Sequence, residues 1–132
     1  MSETTKQKKG RLGESAAAQH LIQNGYKVVA QNVHVSHDEI DLIVEDDNYL
    51  VFVEVKTRTQ DYGVRSKYGR PADAVNRTKK SRTVRAAQGY LRTHPTCKQP
   101  RIDVVEVYIS KVVGQEPTVE RVVWFRNAVW AR

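Results

Sequence analysis

The chain predicts an α/β domain with the element order α-β-β-β-α-β-β and a central sheet flanked by helices. Three observations carry this. A stretch with helical spacing of apolar residues precedes three strand-like runs. A second helical stretch, rich in Lys and Arg, follows them. Two further β-branched runs then close the chain, which at 132 residues is long enough for one domain with its own core.

The first helix is expected over residues 10–24, with Ala17, Ala18, Leu21 and Ile22 among its apolar positions and Gly25 as the stop. Residues 1–9 read as a flexible basic tail and residues 10–132 as a single domain. Tyr26–Gln31 is a plausible first strand. Glu39–Glu45 alternates and leads into the turn residues Asp46, Asp47 and Asn48. Tyr49–Thr57 is the most apolar run of the chain, rich in β-branched and aromatic residues, and reads as a central strand. Residues 61–70 are polar, contain Gly63 and Gly69, and read as a loop. Residues 71–75 suit a short helical turn. A longer helix is expected over residues 78–92, with Val84, Ala87 and Leu91 inward, and Pro95 prevents its continuation. Arg101–Ile109 and Thr118–Phe125 are the last two strands. The tail after them is expected to pack back through Trp130.

Composition narrows the function classes. Hydrophobic content of 39% and charged content of 28% are ordinary for a soluble globular protein. The single cysteine, Cys97, excludes an intramolecular disulfide and suits the cytoplasm. No apolar run is long enough to span a bilayer, and the N-terminal residues lack the apolar stretch of a signal peptide. The net charge of +7 is unevenly spread: residues 12–55 sum to −7 and residues 56–101 to +11. A basic half beside an acidic cluster points to nucleic acid. Carboxylates are unhelpful to a passive phosphate binder, whereas metal-dependent phosphodiester chemistry requires them.

Period-2 geometry puts Leu50, Phe52, Glu54 and Lys56 on one face of their strand. Charges sharing a face with core residues must pair or bind something. Asp41 on the preceding strand completes an Asp, Glu-x-Lys set suited to Mg²⁺ or Mn²⁺. Asp41 and Glu54 would supply the carboxylates, the Val55 carbonyl a third oxygen, and Lys56 a grip on the attacking water or the phosphate charge. Glu14 lies on the apolar side of the first helix and could enter the outer shell. Convergence requires a hairpin register with an odd index sum, and 95 sets Asp41 opposite Glu54. Lys79, Lys80, Arg82 and Arg85 crowd the start of the second helix as candidate phosphate contacts. His34 and His37 lack a third ligand for zinc, and nothing activates Cys97 as a nucleophile.

Five ordered blocks strengthen this reading. Lys9-Gly-Arg-Leu-Gly-Glu14, Glu39-Ile-Asp-Leu-Ile43, Val51-Phe-Val-Glu-Val-Lys-Thr-Arg58, Gly69-Arg-Pro-Ala-Asp-Ala-Val75 and Arg101-Ile-Asp-Val-Val105 resemble the YraN family of small bacterial proteins. Its members are regarded as predicted nucleases related to archaeal Holliday-junction resolvases in the PD-(D/E)xK superfamily. The resemblance implies a restriction-endonuclease-like αβββαβ core, nuclease roles for Glu14, Asp41, Glu54 and Lys56, and a possible homodimer. Two departures stand out: Ser36-His37-Asp38 replaces the usual glycines before the second block, and the loop after Arg58 is longer than typical. The expected function is therefore a Mg²⁺-dependent endonuclease acting on DNA, with branched or irregular DNA among its candidate substrates. The alternatives are a non-catalytic nucleic-acid-binding module, such as a double-stranded-RNA-binding domain, and an assembly protein that keeps the site only as structure.

Overall fold

The computed structural model describes residues 4–60, 77–110 and 114–128, without the side chains of residues 60 and 77–81. The elements run α1 (Thr5–Gln23), β1 (Lys27–Val35), β2 (Asp38–Glu45), β3 (Tyr49–Gln60), α2 (Arg77–Thr93), β4 (Gln99–Ser110) and β5 (Thr118–Phe125). This is the expected order. The strands form one sheet in the order β1-β2-β3-β4-β5. β3 and β4 are parallel and the other neighbours antiparallel, so the sheet is mixed. The connection between the parallel strands contains α2, as such a crossover requires. β4 and β5 extend the sheet of the first three strands, so the αβββα stretch is part of a larger sheet.

The first helix starts earlier than expected, so Thr5–Lys9 are helical rather than tail. A capping box is the reason. Thr4 Oγ1 accepts from the Gln7 N–H at 3.1 Å, and the Gln7 side-chain oxygen accepts from the Thr4 N–H at 3.0 Å. Its other end closes with Gly25 at φ +92°, where the N–H groups of Gly25 and Tyr26 donate to the carbonyls of Ile22 and Leu21. β1 runs four residues past its expected end, because Ser36, at φ +57°, and His37 turn it directly into β2. The expected loop over residues 61–70, the helical turn over 71–75 and Trp130 lie outside the described residues. The described part of the tail does return: the Ala128 N–H donates to the Ile102 carbonyl at 2.9 Å.

Apolar residues fill both sides of the sheet. Ala17, Ala18 and Leu21 of α1 cover Leu42, Val44, Val51, Val53, Val105 and Val107. Ala86, Ala87 and Tyr90 of α2 cover Ile40, Ile43, Leu50, Phe52, Ile102 and Val104. Burial on both faces explains why the parallel pair reads as near-continuous apolar sequence. One polar network pins the far end of the sheet. Asp103, fully buried, accepts from Arg101 Nε and Nη2, Trp124 Nε1 and the Asn127 N–H at 2.8–3.0 Å, and Arg101 Nη2 also reaches the Tyr26 hydroxyl at 2.8 Å. Every oxygen of that carboxylate is satisfied, which marks a structural tie. No described helix is long and apolar enough to cross a membrane.

Candidate active site

The turn from β2 to β3 sets the register of the site. Asp46 Oδ1 accepts from the N–H groups of Asn48 and Tyr49 at 2.9 and 2.7 Å, and the Asp46 N–H donates to the Tyr49 carbonyl. The pairs Glu45–Leu50 through Leu42–Val53 follow with the expected index sum of 95. Pairing then stops. β2 continues along β1 while β3 continues along β4, so the two strands part at the position where Asp41 and Glu54 would face each other.

Alternation also breaks there. Leu42 and Val44 pack on the α1 side, yet Ile40 packs with α2. The residue in line with Asp41 on β1 is Asn32, whose φ of +50° lies in the left-handed region and interrupts the regular ladder. Asp41 thereby turns toward the gap, where its Oδ2 accepts from the Val55 N–H at 2.9 Å. A residue's N–H and C=O point to the same side of a strand, so the Val55 carbonyl also faces the gap left by β2. Glu54, 7% exposed, accepts from Thr83 Oγ1 of α2 at 3.3 Å, and Lys56 Nζ lies 3.5 Å from Glu54 Oε1.

α1 delivers Glu14 to the same place through a close helix–strand approach. A Cβ on Gly13 would lie 2.0 Å from Thr57 Oγ1, so only glycine lets α1 sit this near β3. With its amide oriented to satisfy the hydrogen bonds, Asn32 donates to Glu14 at 3.3 Å and to Glu39 at 3.2 Å. Burial pushes the Glu14 carboxyl up, the Asn32 amide opposes this, and Glu39 adds to it. Asp41 is pushed up to about 6, first by burial and then by the charges of Glu54, Glu14 and Glu39, against the Val55 N–H. Carboxylates from α1, β2 and β3 thus all act electrostatically on Asp41.

The basic residues divide. Arg85 forks onto Asp38, with Nε and Nη2 at 3.0 and 3.1 Å, and ties α2 to β2 rather than presenting a spare guanidinium. Arg82 is exposed. The side chains of Lys79 and Lys80 lie outside the described residues. Asn32, Glu39 and Thr83 were missed by sequence reasoning. Asn32 alone carried a signal, since asparagine is enriched where a strand must adopt positive φ.

The family model described as "Uncharacterised protein family UPF0102" matches residues 13–107. The chain belongs to that family. A UPF0102 protein of Caldanaerobacter subterraneus subsp. tengcongensis is 38% identical over 129 residues, covering 97% of this chain and 99% of its own. Another, of Symbiobacterium thermophilum, is 46% identical over 99 residues, covering 74% and 80%. Among solved structures, SfsA of Pyrococcus furiosus in complex with Ca²⁺ superposes with a TM-score of 0.47 at 12% identity, covering 87% of this chain and 62% of its own length.

Asp41, Glu54 and the Val55 carbonyl are the oxygen donors that could hold a hard divalent cation. Among the described residues, no three His, Cys, Asp or Glu side chains form a cage around a common point. Mg²⁺ does not need one, because it keeps several waters and takes one or two carboxylates together with substrate phosphate.

Proposed function

We propose that this UPF0102 protein is a Mg²⁺-dependent phosphodiesterase acting on nucleic acid, with branched or irregular DNA as the expected substrate. The observation that supports it best is the crowding of Asp41 by Glu54, Glu14 and Glu39 where β2 and β3 part, with Lys56 beside them. Such crowding costs stability, and a perturbed carboxyl beside specific charge partners is a candidate functional group. Asp41, Glu54 and the Val55 carbonyl would hold Mg²⁺ or Mn²⁺, which would supply an activated water and neutralise the non-bridging phosphate oxygens. Asp41 is oriented for this by the Val55 N–H and Glu54 by Thr83. Lys56 holds the attacking water or the charge developing on the phosphoryl oxygens. Glu14 stands on the α1 side, in reach of the outer shell. The start of α2, with Lys79, Lys80 and Arg82, supplies phosphate contacts that position the strand. Cutting two strands of a branched substrate calls for a homodimer.

A cleavage panel tests this: linear, flapped, single-stranded and four-way DNA with Mg²⁺ or Mn²⁺, for the parent and for Asp41→Asn and Glu54→Gln. The expected result is metal-dependent cutting by the parent, abolished in both variants, while binding in EDTA persists. Equal rates in parent and variants would remove these residues from the chemistry. A parent that binds in EDTA and cuts nothing would favour the non-catalytic binding module.

A further inference from the structure

β3 carries a third charged side chain on the face of Glu54 and Lys56. Arg58 Nε lies 3.7 Å from Oε2 of Glu106 on the neighbouring parallel strand. The Glu106 side chain is 0% exposed, that of Arg58 40%. Among the described residues, neither Glu106 oxygen meets hydrogen-bond geometry with a partner, and the buried Tyr108 hydroxyl two residues on does not either. At 3.7 Å the Arg58 contact is electrostatic rather than a hydrogen bond, so it leaves the guanidinium donors to other acceptors.

Burial pushes the Glu106 carboxyl up, with Arg58 first and then Tyr108 and Lys56 pulling the other way. A carboxylate in such a place is a poor device for stability. Its strand neighbours Val104, Val105 and Val107 are buried and apolar, and a well-packed apolar side chain at 106 would avoid the desolvation entirely. The satisfied Asp103 on the same strand shows what a structural carboxylate looks like in this fold. Glu106 instead faces a half-exposed arginine beside Lys56.

Resting on the phosphodiesterase reading above, we propose that Arg58 is a phosphate-contacting residue of the site and that Glu106 is its positioning residue. The buried carboxylate draws Nε inward and fixes the plane of the guanidinium. The outer N–H groups then meet two oxygens of a substrate phosphate, a geometry lysine cannot reproduce. The row Glu54, Lys56, Arg58 on one strand face accordingly runs from metal ligand to water or phosphoryl contact to substrate clamp.

The test uses the full chain with Arg58→Gln, Arg58→Lys and Glu106→Gln. Affinity for one four-way DNA is measured in EDTA across a salt series, beside thermal melting and cleavage with Mg²⁺. Arg58→Gln is expected to lower the log–log salt slope by about 0.9, which is a loss of roughly eightfold in affinity near 0.1 M salt. Arg58→Lys should keep the slope yet cut more slowly than the parent. Glu106→Gln should weaken binding and cleavage with a melting temperature equal to or above the parent's, an outcome a structural ion pair does not give. Unchanged affinity and slope in Arg58→Gln overturns the proposal, and a lower melting temperature in Glu106→Gln overturns the positioning role. A parent that cuts while these variants bind and cut like it removes this inference alone. A parent that binds, cuts nothing, and loses binding in Arg58→Gln removes the phosphodiesterase reading and leaves the phosphate contact. A parent that does not bind DNA overturns both.

Discussion

Replacing Asp41 by asparagine should make the protein more stable, and only above the acid range. In the folded chain the Asp41 carboxyl titrates at about 6, against an ordinary value of 3.8, so the displacement is worth about 3 kcal/mol at full ionisation. Below about pH 4 the group is protonated in folded and unfolded chains alike and contributes nothing. Between about 4 and 6 the folded state keeps a proton that the unfolded state has released, so raising the pH favours unfolding. Above about 6 the penalty is complete. Asparagine carries no such charge, and its side-chain oxygen can still accept from the Val55 N–H. Because Asp41 lies in the field of neighbouring carboxylates, and because the site is partly solvated, the usable gain is about 1–3 kcal/mol. For a chain of this size that is roughly 3–5 °C per kcal/mol. Urea unfolding of parent and Asp41→Asn in EDTA, from about pH 4 to pH 8, gives the answer directly. The two curves should coincide at the acid end and separate through the window. A constant offset at every pH, or a variant less stable at pH 8, would refute the argument, since Asp41 would then be held ionised by a favourable partner.

The other expectations share that logic. Millimolar Mg²⁺ should raise the melting temperature of the parent, by binding the native state preferentially, and should leave Asp41→Asn unmoved; calorimetry with and without EDTA decides this. Asp103→Ala strips the buried Arg101 of its carboxylate and should cost about 3–5 kcal/mol in denaturant unfolding, with no pH window of the Asp41 kind. Gly13→Ala forces α1 away from Thr57 and should cost about 1–3 kcal/mol, partly relieved in the double variant with Thr57→Ala. Arg82→Gln should flatten the salt dependence of DNA binding more than Arg85→Gln, because Arg85 is committed to Asp38; the latter variant should instead loosen α2 in hydrogen exchange.

Local chemistry was enough to determine much of this protein. The apolar period of Ala17, Ala18 and Leu21, the β-branched runs from Tyr49 and Arg101, and the turn residues Asp46–Asn48 specify elements and order, because each is decided by neighbours within a few positions. The register of β2 on β3 was legible for the same reason: a two-residue turn leaves one index sum. Even the candidates Asp41, Glu54 and Lys56 could be singled out, as charges cannot sit in apolar strands without a reason. Tertiary structure decided what lies across strands. That β2 and β3 part beyond Leu42 and Val53 depends on β1 and β4 competing for them. That Asn32 bridges Glu14 and Glu39 depends on a left-handed residue in line with Asp41. Arg85 looked like a phosphate contact until Asp38, 47 positions away, claimed its fork. Glu106 reads in sequence as one more acid in a strand, and only the packing around it shows a fully buried carboxylate with Arg58 Nε 3.7 Å away and, among the described residues, no hydrogen bond. Partners distant in sequence are set by how the layers close, and no local pattern encodes that.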